Sequence, residues 1–237
     1  MEQLIASGLA QLGLANSVTA GTPGTLARYG RALLEKNKVM NLTAITDPAG
    51  VATLHMLDCA ALLPCCEFAG KRLIDVGTGA GFPGMVLKIL SPTLDVTLLD
   101  SLDKRLAWLS ETGKALGLAG LHTVHSRAED AGHNDKLREQ FDFASARAVA
   151  DLRILSELCL PFVKIGGQFL AMKSVECGQE LAAAQEAIET LGGRVETCRD
   201  YAVPHTDVTH RLVVIRKERP TPARFPRRWA RMQKSPL

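Results

Sequence analysis

A cluster of glycines and an acidic residue further along the chain are the residues best suited to chemistry in this sequence. Gly77, Gly79 and Gly81 follow directly on the apolar stretch 72–76. Glycine allows a turn with positive φ, and it lets a ligand lie against the main chain because no Cβ stands in the way. Asp100 closes the next apolar stretch, where a carboxylate can accept hydrogen bonds from both hydroxyls of a ribose. These residues therefore predict a site for a nucleoside cofactor.

Strand and helix patterns alternate along most of the chain. The predicted strands and helices must position the glycines and Asp100. Strands are predicted at 72–76, 96–100, 122–126, 142–146, 168–173, 194–201 and 210–217. Helical patterns between the first five predict a parallel sheet with crossover helices. The last two strands are joined by a loop of about eight residues, so they must pair antiparallel. This α/β arrangement resembles the class I S-adenosylmethionine-dependent methyltransferase fold, with a Rossmann-like, mostly parallel seven-stranded sheet.

Three regions are predicted along the chain. Residues 1–66 form a helical N-terminal extension, 67–218 form the methyltransferase core, and 219–237 form a basic C-terminal tail. Within the core, the longer crossover helices are predicted at about 102–118, 151–163 and 176–191.

The C-terminal tail concentrates positive charge. The whole chain has a formal net charge of +3, whereas residues 216–237 hold eight basic residues and one acidic residue, 8 − 1 = +7. Basic residues interleaved with Phe225 and Trp229 indicate a polyanion with stackable rings, which means nucleic acid. The alternative is a solvated tail that aids solubility. The expected RNA-binding residues are Arg224, Arg227, Arg228, Trp229, Arg231 and Lys234.

The glycine run fits two kinds of cofactor. Gly79–Gly84 has the G-x-G-x-x-G spacing of a dinucleotide site, which keeps an NAD-dependent oxidoreductase open as an alternative. The methyl donor S-adenosylmethionine is favoured because the glycines start at Gly77, directly after the strand, and because the last two strands pair antiparallel. The chain is also short for a dehydrogenase, which needs a further substrate domain. A third possibility is a non-catalytic RNA-binding factor for ribosome assembly.

Composition and cysteine spacing exclude several other classes. Apolar residues make up 46% and charged residues 22% of the chain, as in folded globular proteins. No apolar run reaches the roughly 18 to 20 residues of a membrane span, and Glu2 stands where a secretory signal carries a basic residue. The cysteines lack metal-ligand spacing and are interpreted as small buried hydrophobes. We expect a cytoplasmic protein without a membrane span or a metal.

Two further strand ends supply candidate site residues. Ala128 and Glu129 follow the third strand, where an adenine ring lies in this fold, and they can bond its edge. Arg147 ends the fourth strand, where class I methyltransferases present their target to the methyl group. Its guanidinium can hydrogen-bond the base or a cofactor carboxylate. The alternative is a structural ion pair of Arg147 with Asp151 or Glu129.

The sequence also limits which atom can receive a methyl group. Methyl transfer chiefly requires that a nucleophile is aligned with the sulfonium carbon. Guanine N7 suits a site without an acid–base pair, because its lone pair is available and carries no proton to remove. His55 and Asp58, one helical turn apart, are the only tempting acid–base pair. We interpret them as residues that cap or pack the N-terminal helices.

The sequence closely resembles the RsmG family, also called glucose-inhibited division protein B, of bacterial 16S rRNA guanine-N7 methyltransferases. The resemblance covers nearly the whole chain. Its motifs are Asn41-Leu42-Thr43, His55-Met56-Leu57-Asp58, the run from Asp75 to Gly84, Leu98-Leu99-Asp100-Ser101, Ser126-Arg127-Ala128-Glu129, Ser145-Ala146-Arg147-Ala148 and the tail Phe225-Pro226-Arg227-Arg228. The tail departs from the family pattern, because Ala230 and Met232 stand where glycine and proline are usual.

The resemblance implies a cofactor site and a substrate. It implies methyl-donor contacts at Gly77, Phe82, Ala128, Glu129 and Arg147, with Asp100 on the ribose. The expected cofactor-binding set also includes Gly79, Gly81 and Ser101, and Arg147 is the expected catalytic residue. The implied substrate is guanine 527, in the 530 loop of 16S rRNA in the 30S subunit, where a base can be splayed out and stacked. We expect the enzyme to be a monomer.

Overall fold

A computed structural model describes residues 1–147 and 150–237. In this part of the chain, one sheet contains the strands β1 (Arg72–Val76), β2 (Asp95–Asp100), β3 (Leu121–His125), β4 (Phe141–Arg147), β5 (Val163–Ser174), β6 (Gly193–Ala202) and β7 (Thr209–Lys217). Their order across the sheet is β3-β2-β1-β4-β5-β7-β6. The first five strands pair in parallel, and β7 lies antiparallel between β5 and β6. The predicted class I methyltransferase fold is confirmed.

The order of the strands places the site. Since β2 and β4 flank β1, the chain order reverses at β1, and ligands of open α/β sheets bind beyond the carboxyl ends of the strands at such a point. Val76 of β1 pairs with Leu99 of β2, so the glycine turn and Asp100 leave the sheet side by side. Asp75 of β1 pairs with Ser145 of β4, which brings the end of β4 to the same edge.

The helices follow the predicted alternation, with two interruptions. They are Glu2–Gln11, Thr22–Met40, Pro48–Gly50, Val51–Leu57, Asp58–Ala60, Gly84–Leu90, Asp103–Ala115, Ala128–Ala131, Leu152–Cys159, Gly178–Ala183, Gln185–Thr190 and Trp229–Lys234, with short 3₁₀ turns at Leu63–Cys65 and Leu160–Phe162. The predicted helix at 151–163 ends at Cys159, because Pro161 has no N–H for the helical ladder. The predicted helix at 176–191 is interrupted at Ala184, whose N–H is shared between two carbonyls of the preceding turn.

The helical segment 48–60, here called the site helix, carries residues that reach the crevice. Asp47 begins it, because the Asp47 side chain accepts a hydrogen bond of 2.7 Å from the Gly50 N–H, and Pro48 occupies the first turn. Its middle part, Val51–Leu57, has π-helical hydrogen bonding, which is common at functional sites.

Two buried apolar clusters cover the two faces of the sheet. Leu26 and Leu33 of the N-terminal extension share the first cluster with Leu73 of β1. Phe225 of the tail shares the second cluster with Ile74 of β1. Because neighbouring residues of a strand point to opposite faces, the extension and the tail pack on opposite faces of the core.

The structure bears on two expectations from composition. Among the described residues, the segment Pro48–Cys65 is long and apolar enough to cross a membrane, with a mean hydropathy of 1.2 over 18 residues. However, 61% of this segment is buried inside the protein, where it belongs to the first apolar cluster. The interpretation of the cysteines as buried hydrophobes holds for Cys59, Cys159 and Cys177 but is wrong for Cys198, which is exposed.

Candidate active site

The turn after β1 depends on its glycines for two different reasons. Gly77, Gly79 and Gly81 have φ values of 69°, 57° and 90°, which side chains rarely tolerate. A Cβ on Gly81 would also collide with the hydroxyl of Tyr29, which donates a hydrogen bond to the Ala80 carbonyl. By contrast, a Cβ on Gly79 would come no closer than 3.9 Å to the Gly77 oxygen, so open space lies against the main chain there.

A buried carboxylate under the turn holds its shape. Asp75 is fully buried and accepts hydrogen bonds from the Thr78 hydroxyl at 2.6 Å, the Gly84 N–H at 3.0 Å and the Ser145 hydroxyl at 2.9 Å. Burial raises the pKa of Asp75, and these hydrogen bonds oppose that rise. A Cβ on Gly84 would lie 2.9 Å from the carboxylate, which explains the last glycine of the run. Asp75 therefore connects β1 and β4 beneath the glycine turn.

Asp100 closes the turn from the side of β2. One of its oxygens accepts a hydrogen bond from the Gly79 N–H at 2.9 Å, and the other accepts one from the Leu102 N–H at 2.9 Å. The Arg105 guanidinium lies 3.9 Å from the first oxygen. A carboxylate has about four lone-pair sites, so each oxygen can accept one further hydrogen bond from a ribose hydroxyl.

Two cavities open beside the glycine turn. The smaller has a volume of about 290 Å³, and its walls include Asp100, Ser101, Ala128, Glu129 and Trp229. The larger has a volume of about 620 Å³, and its walls include His55, Asp58, Gly79, Phe82, Arg147 and His210. Gly77 and Arg105 line both, so the cavities meet at the turn. Gly81 packs behind the turn against Tyr29 and does not reach either of these cavities.

Arg147 lies in the wall of the larger cavity, as predicted, but its ion-pair partner differs from both candidates. The guanidinium donates to Asp58 at 3.2 Å, to the Leu54 carbonyl at 3.1 Å and to His55 Nδ1 at 2.9 Å. It also lies 5.0 Å above the centre of the Phe82 ring. Arg147 does form an ion pair, as in the alternative interpretation, but Asp151 and Glu129 are wrong as its partners because Asp58 of the site helix supplies the carboxylate. Ala148, the last residue of the predicted motif, lies outside the described residues.

Asp58 connects four elements of the fold at this cavity. Its side chain is 2% exposed. One oxygen pairs with Arg147, and the other accepts hydrogen bonds from the Tyr201 hydroxyl at 2.9 Å and from His210 Nδ1 at 2.8 Å. The hydrogen bond to Asp58 raises the pKa of His210. Asp58 therefore organises the cavity wall, which goes beyond the predicted packing of N-terminal helices.

His55 is held as a neutral imidazole. Its ring stacks on Phe82 with centroids 4.5 Å apart, and Nε2 lies 2.7 Å from the Thr43 hydroxyl oxygen. A guanidinium only donates hydrogen bonds, so Nδ1 accepts from Arg147 and the ring proton is on Nε2, facing Thr43. Burial, reinforced by the charge of Arg147, lowers the pKa of His55 to about 4. His55 orients Arg147 and holds no proton on Nδ1 at neutral pH.

Two residues that hydrogen-bond Asp58 in the larger cavity were not predicted from the sequence. Tyr201 and His210 face each other in the antiparallel pairing of β6 and β7, and both bond Asp58. The predicted loop between the two strands places these residues opposite each other, so their mutual pairing could be predicted from the sequence. Their contact with Asp58, about 140 to 150 residues away along the chain, could not be predicted, because no local sequence pattern indicates it.

The tail residues divide into inward-facing and exposed groups. Arg224, Arg228, Arg231 and Lys234 are exposed. Arg227 is bound to the buried carboxylate of Glu157 at 2.6 Å, and Phe225 is only 3% exposed. Trp229 is half-buried and faces the smaller cavity. The expectation that both aromatic rings are presented for stacking on RNA is therefore wrong for Phe225, and Trp229 lies beside the predicted cofactor-binding residues.

Comparison with known proteins identifies the family. Residues 24–208 match the family described as rRNA small subunit methyltransferase G. The chain belongs to this family. The ribosomal RNA small subunit methyltransferase G of Symbiobacterium thermophilum is 48% identical over 240 residues, which cover 99% of this chain and 97% of that protein. The protein of the same name from Lactobacillus johnsonii is 46% identical, over 89% of this chain and 90% of its own length.

Solved structures support the fold of this methyltransferase G family member. TrmN from Thermus thermophilus has a TM-score of 0.52 and 23% identity, over 67% of this chain and 48% of that one. A mutant of the 16S rRNA (adenine(1408)-N(1))-methyltransferase from Catenulisporales acidiphilia has a TM-score of 0.52 and 16% identity, over 65% and 87%. Family membership favours the methyltransferase over the oxidoreductase and the non-catalytic assembly factor. The inserted β7 agrees, because the dinucleotide-binding fold has the order 3-2-1-4-5-6.

Proposed function

We propose that this methyltransferase transfers a methyl group from S-adenosylmethionine to N7 of a guanine in 16S rRNA of the 30S subunit. The observation that carries the proposal is the crevice, in which two cavities of different character meet at one glycine turn. The smaller cavity offers a carboxylate and main-chain groups suited to an adenosine. The larger cavity offers space and fixed hydrogen-bond donors for the amino-acid end of the donor and for a purine base.

The residues of the crevice fit the methyl donor. The larger cavity, of about 620 Å³, is within the size range of small-molecule sites, and the smaller cavity, of about 290 Å³, is at the lower limit of that range. Asp100 retains lone pairs for ribose hydroxyls, Ala128 and Glu129 lie where an adenine edge needs partners, and Gly79 leaves the main chain open. When bound, S-adenosylmethionine supplies an electrophilic methyl carbon on a sulfonium.

Arg147 retains donors for the reacting molecules. A guanidinium has five N–H groups, and three of those on Arg147 bond Leu54, Asp58 and His55. The remaining two can bond a cofactor carboxylate or the guanine oxygen next to N7. Because the three internal bonds fix the plane of the guanidinium, its orientation costs no further ordering when substrate arrives.

The hydrogen bonding among Arg147, His55 and Asp58, here called the arginine cluster, suits a nucleophile that carries no proton. The N7 lone pair of guanine attacks directly, so no residue has to remove a proton. His55 is neutral and its Nδ1 is engaged by Arg147, while Asp58 is engaged by three donors. The arginine cluster therefore positions hydrogen-bond donors and does not exchange protons with the base. His210 bonds Asp58 through Nδ1, which leaves Nε2 for contact with the substrate.

The basic tail supports an RNA substrate. Arg224, Arg228, Arg231 and Lys234 are exposed, and arginines and lysines of this kind neutralise phosphates. We further propose guanine 527 of the 530 loop as the target, because the resemblance to the RsmG family implies it; a loop base can also leave its stack and enter a cavity. The reaction is then cytoplasmic, and a single protomer contains every residue invoked here.

Labelled-methyl transfer tests the proposal. Purified protein is mixed with labelled S-adenosylmethionine and 30S subunits from cells without this enzyme, and the label is mapped by chemistry specific for 7-methylguanosine. We expect label at one guanine of the 530 loop. Arg147→Lys should lose transfer because lysine lacks the planar fork, whereas Arg72→Lys, at the opposite end of β1, should retain it. A folded protein that binds S-adenosylhomocysteine but transfers no label would be a non-catalytic assembly factor.

A further inference from the structure

The C-terminal tail is fixed to the core by an arginine of the core. The Arg138 guanidinium donates hydrogen bonds to the Gly132 carbonyl at 2.7 Å, to the Phe225 carbonyl at 2.8 Å and to the Thr221 carbonyl at 2.7 Å. Phe225 itself is buried in the second apolar cluster. The start of the tail is thus part of the folded core, although its composition resembles that of a solvated segment.

A buried ion pair fixes the tail again, next to Trp229. The Arg227 guanidinium donates to both oxygens of Glu157, at 2.8 and 2.6 Å, and the Arg227 N–H donates to the same carboxylate at 2.7 Å. The Glu157 side chain is 1% exposed. The hydrogen bond to Glu157 raises the pKa of Arg227. Charge-assisted, bidentate hydrogen bonds of this kind fix the orientation of the arginine, so the residues that follow Arg227 have a fixed position.

Trp229 is the residue that this arrangement brings to the cofactor crevice. It begins the helix Trp229–Lys234 and packs beside the second apolar cluster. Its side chain lines the smaller cavity together with Ala128, Glu129 and Leu158. The wall therefore combines an indole, an aliphatic side chain and hydrogen-bonding groups, which is the composition that a flat heteroaromatic ring requires.

We propose that Trp229 is a cofactor-binding residue that forms part of the adenine wall, so that the tail closes the adenosine half of the crevice. This inference rests on the proposed function, because it requires an adenine in the smaller cavity. The tail then has two separate roles. Trp229 lines the cofactor site and Arg227 fixes its position through Glu157, while Arg228, Arg231 and Lys234 face solvent and are available to RNA.

Tryptophan fluorescence reports on the inference directly, because the chain has two tryptophans. Trp108 is 7% exposed and belongs to the first apolar cluster, on the other face of the sheet. In Trp108→Phe, Trp229 is the remaining fluorophore, and we expect saturable quenching on addition of S-adenosylhomocysteine. In Trp229→Phe, Trp108 remains, and we expect little change.

Calorimetry with S-adenosylhomocysteine measures the energetic consequence. Because one aromatic stacking partner is lost, Trp229→Ala should bind this ligand about tenfold more weakly. Gln233→Ala, on the exposed side of the same helix, is the matched control and should bind like wild type. Circular dichroism establishes that each variant is folded, and Trp229→Phe, which keeps an aromatic face, should recover most of the affinity if Trp229→Ala is unstable.

The outcomes separate this inference from the proposed function. If wild-type protein does not bind S-adenosylhomocysteine, the proposed function fails. If wild type binds but Trp229→Ala binds equally well and Trp229 fluorescence does not respond, only the adenine-wall role is overturned. RNA association gives an independent readout: Trp229→Ala should leave RNA affinity unchanged, and a clearly weaker RNA affinity with an unaltered salt dependence would show that Trp229 stacks on RNA instead.

Discussion

The two halves of the crevice are constructed differently. The smaller cavity takes its walls mainly from residues at or just after the carboxyl ends of β1, β2 and β3, such as Gly77, Asp100 and Ala128. The larger cavity depends on side chains from distant parts of the chain, and Asp58 and His210 meet there through a hydrogen bond of 2.8 Å. The smaller cavity, proposed to hold the adenosine of the cofactor, is thus encoded mainly by local sequence, whereas the larger cavity, proposed to admit the purine base, is encoded by tertiary packing.

This difference has energetic consequences. In the larger cavity, a nearly fully buried carboxylate is neutralised and hydrogen-bonded by side chains from three strands. Removing one partner leaves a buried charge partly uncompensated, so stability and activity should fall together. In the smaller cavity, Asp100 is bonded mainly by main-chain N–H groups of its own edge of the sheet. Changes there should affect ligand affinity more than stability.

The largest effect is expected for Arg147→Ala. Loss of a fixed donor at the reacting atoms typically lowers the rate by a factor of about 100 to 1000. The same change removes the guanidinium from buried Asp58 and should lower the free energy of unfolding by about 3 kcal/mol. Methyl-transfer rates and urea titrations measure the two losses. A stable variant with unchanged turnover would show that Arg147 is not a site residue. It would also contradict the difference proposed between the two cavities.

The two histidines of the larger cavity should give opposite pH dependences of stability. His55 has a folded pKa of about 4, below the ordinary 6.5, so its contribution is complete above 6.5 and is lost as pH falls towards 4, by up to about 3 kcal/mol. His210 has a raised folded pKa, so its contribution is present below 6.5 and is lost as pH rises through the folded pKa.

Urea titrations of His55→Gln and His210→Gln between pH 4 and pH 9 check this prediction. The stability deficit of His55→Gln should shrink at acidic pH, whereas that of His210→Gln should shrink at alkaline pH. Deficits that do not vary with pH in either variant would mean that these side chains do not have the partners assigned to them.

A smaller effect is expected for Asp100→Asn in the cofactor half. The amide keeps one acceptor oxygen but loses the charge, and hydrogen bonds to a charged group contribute about 1.5 to 3 kcal/mol. We expect binding of S-adenosylhomocysteine to weaken at least about tenfold, with a modest change in the free energy of unfolding. Calorimetry and urea titration give both values. Loss of stability as large as in Arg147→Ala would show that the two halves are not built differently.

The smallest effect is expected outside both cavities, at the exposed face of the tail. Arg228→Ala should leave cofactor affinity unchanged and lower the slope of log K against log salt for RNA association by about 0.7 to 0.9. Fluorescence anisotropy with a 530-loop RNA at several salt concentrations measures this slope. An unchanged slope would favour the alternative, in which the exposed tail residues are a solvated segment that does not bind RNA.

Sequence patterns recovered the parts of the molecule that depend on short-range order. The seven strands, the glycine turn and Asp100 follow from periodicity and from the position of strand ends. Arg147 was also found, because it ends β4. The partner of Arg147 was not found, since Asp58 lies on another element about 90 residues earlier, and periodicity carries no information about such a contact.

The tail shows a second limit of sequence reasoning. Arg227 and Arg228 are adjacent and chemically identical, yet the first binds a buried glutamate and the second is exposed. Composition correctly indicated a basic segment, but it could not show that Glu157 and the second apolar cluster hold one face of that segment. The same reason explains why Trp229 was assigned to RNA from the sequence, although in the structure it lies beside the predicted cofactor-binding residues.

A crystal structure with S-adenosylhomocysteine is the most direct measurement of the central claim. One ligand should span both cavities, with its ribose hydroxyls on Asp100, its adenine beside Ala128 and its sulfur at the glycine turn, facing the space next to Arg147. A ligand bound elsewhere, or cavities closed by side chains in the complex, would contradict the claim that this crevice holds the methyl donor.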